Sequence, residues 1–377
     1  MNTHTSRTHP WLHRLKHEWL LLLFAALAVV LACIDPQPLT RYRQWLQWPT
    51  LCGLLGLLIA IQGIRDSGLV QRIAGMLVAR MHTLRGVAVL LVSMTAVLST
   101  VLTNDVSLFL IVPLTVAIGN MSNLPIARMA VLEALAVNAG STLSPIGNPQ
   151  NLLIWQHARI SFPQFVGSML PAAALMFVLV AALAWCWIPK GRVQLNEDRL
   201  DGHPVSAPLA ALSLAALALM VLMMEHGRAP LGALLLTIPF ALLSRRTVRH
   251  IDWLLMITFA AIFLGLGHFA ALPIVQHALD QIDFGRPLAL YLSGIVGSQL
   301  ISNVPATVLL LDRAQDAMAL AVAVNVGGFG VATGSLANLI ALRLAKQSHG
   351  MRLFHEVSVP FLLVCAPLVY LLMRLLV

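Results

Sequence analysis

The chain has 377 residues, of which 59% are hydrophobic and only 10% charged, against about 25% charged in an ordinary soluble protein. Its formal net charge of +9 fits Lys and Arg marking the cytoplasmic ends of helices, and it calls for no nucleic-acid partner. Alternating segments of about ten residues, as a transmembrane barrel needs, are absent. What remains is an all-α polytopic membrane protein.

In chain order, residues 1–17 form a cytoplasmic N-terminus carrying Arg7, Arg14 and Lys16. A cleaved leader has a similar outline, but removing the first helix would spoil the charge alternation that follows. A helix near 18–34 exits, and a second near 47–64 returns to a loop holding Arg65, Arg72, Arg80 and Arg85, as the positive-inside rule asks. "DSGLVQRIAGMLVARM" within that loop has apolar residues at helical spacing and reads as an interfacial helix. The stretch at about 86–119 has apolar arms of roughly 17 and 14 residues around the polar tip Thr103-Asn104-Asp105. Such arms are short for crossings of about 20 residues, so a re-entrant hairpin is predicted, its tip buried in protein. A broken helix at about 127–155 and a crossing near 166–189 complete a first repeat over 18–189, with Lys190 and Arg192 inside.

A connector over 190–229 holds one crossing near 206–224. A second repeat then runs from 230 to 377, with crossings near 230–244 and 251–270 separated by Arg245, Arg246 and Arg249. A hairpin follows at about 286–312, with the tip Ser302-Asn303-Val304, then a broken helix at about 317–345 ending at Arg343 and Lys346, and a last crossing near 355–375. Each half makes four crossings and the connector adds one. The second repeat is therefore inverted, and the C-terminus is expected on the periplasmic side. The cysteines Cys33, Cys52, Cys186 and Cys365 lie in apolar segments without C-x-x-C spacing and read as packing residues.

The repeat is written in residues as well as in hydropathy. "NAGSTLSPIGNPQN" from Asn138 to Asn151 and "NVGGFGVATGSLAN" from Asn325 to Asn338 are both preceded by Ala-Val. Gly140 matches Gly327, Gly147 matches Gly334, and Leu152 matches Leu339. A helix broken in mid-membrane exposes free carbonyls on one half and free amides on the other. Carbonyls with Asn and Ser/Thr oxygens suit a hard cation, and the amide end suits an anion. The candidate substrate- and ion-binding residues are Asn138, Gly140, Ser141, Thr142, Ser144, Gly147, Asn148 and Asn151 in the first break. The second break adds Asn325, Gly327, Thr333, Gly334, Ser335 and Asn338, and the tips add Thr103, Asn104, Asp105, Ser302 and Asn303. Small and amide residues also serve as interhelical packing and hydrogen-bonding groups, but a duplicated motif with matched spacing favours a site. Asp105 and Glu133 are the acids expected within the membrane, where such groups mark proton pathways, and they are the proton-coupling candidates. Neither tip nor break holds a Lys or Arg, so a bound anion would rely on amides, hydroxyls and a co-bound cation.

"LSTVLTNDVSLFLIVPLT", "EALAVNAGSTLSPIGNPQNLLIW" and "AVNVGGFGVATGSLANLIALR" resemble the ion transporter superfamily. That group includes the ArsB arsenite permeases, the NhaD-type Na⁺/H⁺ antiporters, and the citrate and divalent-anion:sodium symporters. The resemblance runs from about residue 45 to near the end, and the blocks look most like the YbiR group of bacterial inner-membrane proteins. It implies hairpins meeting at the centre, a homodimer, and an elevator-like movement of the site-bearing part. Dicarboxylate symporters carry Ser-Asn-Thr at both tips to hold Na⁺ and carboxylate. Here Asn104 and Asn303 carry over as candidate Na⁺ ligands, while Asp105 departs toward the Ala-Asn-Asp of the arsenite permeases.

An enzyme is not expected, since no intramembrane-protease motif and no Walker motif are present. The expected function is a secondary transporter of a small anion or oxyacid, such as arsenite, across the inner membrane, driven by Na⁺ or H⁺. A Na⁺/H⁺ antiporter, an arsenite/antimonite efflux permease and a passive channel are the alternatives. Beyond a bound Na⁺ no cofactor is expected, and the partners are the substrate, the coupling ion and the bilayer.

Overall fold

A computed structural model describes residues 19–70, 72–73, 76, 82–194 and 204–376. The expected cytoplasmic segment 1–17, most of the interfacial helix beyond Val70, and residues 195–203 of the connector lie outside the described residues.

Among the described residues, seven helices are long and apolar enough to cross a membrane. The chain opens with α1 (Trp19–Ile34), the short α2 (Leu39–Trp45) and α3 (Trp48–Asp66). Next come α4 (Leu84–Val101), α5 (Asn104–Met121), α6 (Ile126–Ser141), α7 (Pro149–Ala158) and α8 (Phe162–Trp187). The helix α9 (Ala207–Glu225) joins the halves, followed by α10 (Ala229–Leu243), α11 (Arg245–His250), α12 (Trp253–Ala271) and α13 (Pro273–Asp280). The chain closes with α14 (Pro287–Ile301), α15 (Asn303–Leu310), α16 (Ala317–Val326), α17 (Leu336–Ala345) and α18 (Gly350–Leu376).

The crossings expected from hydropathy are all present as helices, within a few residues of their expected bounds. One expectation changes in detail. The helices flanking the first tip, α4 and α5, are each 18 residues long, α5 counting Asn104 and Asp105 of the tip. Both are long and apolar enough to cross, so arm length no longer argues for a hairpin at the first tip. The sequence reading stopped short of Met121, whereas α5 runs through Pro113 to that residue; an internal proline is tolerated where neighbouring helices satisfy the freed backbone. The second pair is shorter, 15 and 8 residues, ending in a 3₁₀ turn at Leu311–Arg313.

Local chemistry sets the boundaries. Thr103 separates α4 from α5 by accepting the Val106 amide at 3.4 Å. Asn148 caps α7 through the Asn151 amide at 2.9 Å, with Pro149 at the first helical position, where a missing N–H costs nothing. Ser161 and Gln164 form a capping box at the start of α8, and Asp316 caps α16 through the Met318 and Ala319 amides, both at 2.9 Å. Arg159 after α7 and Lys346 after α17 both adopt left-handed φ of 51°. The offset relating them is the same one that relates Asn138 to Asn325.

Helix packing sorts the chain into two groups. In one, α1 lies on α12, while α3 lies on α9 and α10. In the other, α4 packs on α5 and α6, and α14 packs on α15 and α16. The broken segments cross between halves: α6 lies on α17, and α7 lies on α16. Their cores are fully buried, with Leu132, Ala136 and Val137 on α6 and Ala321, Val324 and Ile340 on α16 and α17 shielded. Arg128 and Arg85 sit at the far ends, donating to the carbonyls of Trp187 (2.9 Å) and Ile188 (3.0 Å).

Candidate functional site

Both predicted breaks are present. The first lies between Ser141 and Pro149, and the second between Val326 and Leu336, interrupted by a 3₁₀ turn at Ala332–Gly334. Two glycines let the breaks form against the hairpin arms. A Cβ on Gly140 would run into the backbone of Ala96 on α4, and one on Gly327 would lie 2.6 Å from the Ser298 Cβ on α14.

The asparagines of the two motifs meet. Asn138 donates to Asn338 Oδ1 at 2.8 Å, and Asn325 donates to Asn151 Oδ1 at 2.6 Å. The first asparagine of each motif thus pairs with the last asparagine of the other. Asn138 and Asn325 also make the same internal bond, to the carbonyl four residues back, Ala134 (2.9 Å) and Ala321 (2.7 Å). Asn148 adds a further link to Asn325 Oδ1 at 2.9 Å.

These amides also account for the carbonyls that the breaks release. Asn151 Nδ2 donates to the carbonyls of Ser141, Thr142 and Ser144, each at 3.1 Å. Asn338 Nδ2 takes the Gly328 carbonyl at 2.9 Å. The sequence reading treated such carbonyls as open to a cation, but here they are largely satisfied by side chains, as buried polar groups must be.

The tips close on the breaks. The Asn104 amide donates to the Gly147 carbonyl at 2.8 Å, and Thr100 on α4 reaches the Gly140 carbonyl at 3.2 Å. Asn303, turned so that its amide nitrogen faces acceptors, donates to the carbonyls of Gly334 and Val324 (3.1 Å) and accepts from Gln150 at 3.1 Å. Ser302 holds φ of 72°, a left-handed conformation costly for a residue with a Cβ.

Several polar groups at the tips and the second break make no side-chain hydrogen bond among the described residues, as is also true of buried atoms of Asp35, Ser213 and His268 elsewhere. Asn104 is buried, and its Oδ1 accepts the Asp105 amide at 2.8 Å while its Nδ2 makes no hydrogen bond. The carboxylate of half-buried Asp105 and the hydroxyls of Ser302 and Ser335, both buried, are likewise uncommitted. Thr333 is half-buried, as is Thr103, whose hydroxyl caps α5. Glu133 is fully buried on α6; Thr115 donates to one oxygen, and the other, Oε2, has no partner.

Four residues at the breaks were missed by sequence reasoning. Gln150 bridges Asn303 to Asn325, the latter at 3.5 Å. Gln299 on α14 donates to the Gly327 and Phe329 carbonyls (2.6 and 2.8 Å) and accepts the Val331 amide at 2.8 Å. Ser358 and His355 on α18 accept the amides of Gly330 (2.8 Å) and Ala332 (3.2 Å). Gln150 sits inside the duplicated motif, which was its only signal; the other three lie in apolar helices far along the chain.

Comparison with known proteins bears on this arrangement. The family model described as citrate transporter matches residues 15–317. The inner membrane protein YbiR of Escherichia coli (strain K12) is 37% identical over 365 residues, covering 97% of this chain and 98% of that protein. A protein of Methanocaldococcus jannaschii named as an uncharacterized transporter is 28% identical over 332 residues, 87% of this chain and 90% of its own length. The silicon efflux transporter LSI3 of Oryza sativa subsp. japonica is 31% identical over a shorter stretch of 123 residues, 32% of this chain and 25% of that protein.

Proposed function

The chain belongs to the citrate transporter family, and we propose that it is a secondary active transporter that moves a small anion or neutral oxyacid across the inner membrane, driven by a Na⁺ or H⁺ gradient. The family is one of transporters, not enzymes. The observation that carries the reading is the crossing of two broken helices, locked by Asn138–Asn338 and Asn325–Asn151, beside tips that keep uncommitted polar groups.

Inverted repeats are the simplest account of that crossing. The pairing of α6 with α17 answers that of α7 with α16, and α1 on α12 answers α10 on α3. Each contact recurs with the halves exchanged, and α9 is the odd helix that reverses the second half. The N-terminus then lies in the cytoplasm and the C-terminus in the periplasm. The tips act as re-entrant hairpins within a homodimer.

The asparagines of the breaks serve chiefly to hold the crossing, and the tips serve as ligands. Asn104, Asp105, Ser302, Thr333 and Ser335 supply donors and acceptors for the cargo, with Na⁺ at Asn104; Asn303, the other expected Na⁺ ligand, is engaged with Gly334, Val324 and Gln150 and acts as a tie. No Lys or Arg lies in either tip or break, so charge balance for an anion comes from a co-bound cation, whereas a neutral oxyacid needs none. The partial likeness to a silicon efflux transporter supports the oxyacid. Asp105 and Glu133 are the candidates for proton coupling. The uncommitted Asp105 carboxylate also supports a second reading, a Na⁺/H⁺ antiporter or arsenite efflux permease. The test is flux in proteoliposomes, with citrate, silicic acid and arsenite each offered against imposed Na⁺ and pH gradients. A gradient-dependent signal with one of them supports the reading, and Na⁺/H⁺ exchange without any of them supports the antiporter.

A further inference from the structure

The second break is held in an unusual way. Three consecutive backbone amides, those of Gly330, Val331 and Ala332, each donate to one side chain: Ser358 Oγ (2.8 Å), Gln299 Oε1 (2.8 Å) and His355 Nε2 (3.2 Å). Gly330 itself has φ of 96°, so this segment cannot continue a helix and depends on those three acceptors. Only one of the three can titrate.

The tautomer of His355 follows from its partners. An amide N–H can only donate, so Nε2 must be the unprotonated nitrogen facing Ala332. A carbonyl can only accept, so Nδ1 carries the hydrogen given to Met351 at 2.7 Å. With both nitrogens committed the ring is neutral. Adding a proton at Nε2 turns that acceptor into a donor aimed at another donor, and the bond to Ala332 is lost.

Among the described residues His355 makes no ion pair, and most charged groups on the surrounding elements are engaged elsewhere. Of the elements packed against α18, neither α8, α16 nor the 3₁₀ turn at Ala332–Gly334 contains a charged residue. On α6, Arg128 is bonded to the Trp187 carbonyl and Glu133 accepts from Thr115; on α17, Arg343 pairs with Asp252. On α18 itself Arg352 pairs with Glu356 at 2.7 Å. Lys346 and His349 stand in the turn before α18.

We propose that His355 is a proton-binding site that controls the opening of the 330–335 segment: the neutral ring latches the segment, and the protonated ring releases it. Thr333 and Ser335, both uncommitted, ride on that segment, so binding of a proton from the aqueous phase exposes or reshapes one wall of the candidate site. His355 is thus a positioning residue that makes the site answer to pH. The inference rests on the reading of the second break as part of the transport site, but its test does not require a transported substrate.

The test is hydrogen exchange of the peptide covering 328–335 in the unmutated protein, corrected for intrinsic exchange, from about pH 8 to about pH 5. Protection is expected to fall severalfold on acidification. Val331→Cys, in a background with the four native cysteines replaced, gives a second readout through thiol labelling. His355→Gln retains a neutral acceptor and should hold the segment closed at every pH. His355→Ala should leave it open at every pH. Exchange that stays constant across this range in the unmutated protein, or a His355→Gln variant that keeps the wild-type pH profile, overturns the proposal. If opening follows pH as expected while flux ignores the state of the segment, the latch stands and the second break is not part of the transport site.

Discussion

Asn138 donates to Asn338 at 2.8 Å although 200 positions separate them in the chain, and the matching bond from Asn325 to Asn151 measures 2.6 Å. The two pairs tie the interrupted helices of one half to those of the other at the point where the backbone is least able to support itself. Removing one partner leaves a buried amide unsatisfied, at about 1–3 kcal/mol. Asn138→Ala and Asn338→Ala should each lower thermal stability in detergent by about that much. The double variant should cost clearly less than the two together, because the residues share one bond. Additive losses would mean the bond contributes nothing.

Ligand and tie are separable by stability. Asn104→Ala removes an amide nitrogen that has no protein partner, so flux should be lost while the unfolding temperature stays close to wild type. Asn151→Ala strips the donor from three carbonyls and should lower stability as well as flux. Asn303→Ala belongs with Asn151, since its amide is engaged by Gly334, Val324 and Gln150. An Asn104→Ala variant that unfolds as readily as Asn151→Ala would move Asn104 among the ties.

Gly140 is where α6 approaches α4 closely. Gly140→Ala forces a methyl group into the Ala96 backbone, and strain against backbone is not relieved by a side-chain rotation. Folded protein should be lost. Gly167→Ala on α8 meets nothing within 4 Å and, with alanine the better helix former, should be neutral or stabilising. Fluorescence-detected size exclusion of the two variants checks the contrast.

Topology is open to direct measurement. A single cysteine at Arg192 or Arg246 should be labelled only from the cytoplasmic face, and one at Glu225 only from outside. Labelling of all three from one face would remove α9 as a crossing, and the inverted-repeat reading with it.

Much of this fold is written plainly in the sequence. The apolar blocks mark the crossings because the bilayer core demands about 20 apolar residues. The breaks are legible because Gly and Pro interrupt them twice at one spacing, from Asn138 to Asn151 and from Asn325 to Asn338. What the residues do is less legible. An asparagine that binds an ion and one that binds another asparagine look alike in sequence, and only the fold shows Asn151 spent on three carbonyls. Gln299, His355 and Ser358 were invisible because each reaches the second break from another helix, 23 to 32 positions away, with no local pattern to mark it.

Asp105 offers a test of coupling. Asp105→Asn keeps shape and hydrogen-bonding capacity but fixes the neutral state. If Asp105 carries the proton, substrate exchange should persist while pH-driven net transport fails. If it is a sodium ligand only, the sodium needed for half-maximal flux should rise with the pH profile little changed. Should neither dependence move, Asp105 has no part in coupling, and Glu133, with its unpartnered Oε2, is the next position to replace.

The central claim is that ion gradients drive substrate uphill through this protein. The direct measurement is accumulation in proteoliposomes loaded with equal substrate on both sides, then given an inward Na⁺ gradient or a pH gradient. The account predicts net accumulation that collapses when an ionophore dissipates the gradient and that is absent in Asn104→Ala. Substrate that only equilibrates, at the same rate with and without either gradient, would contradict it and make the protein a passive channel.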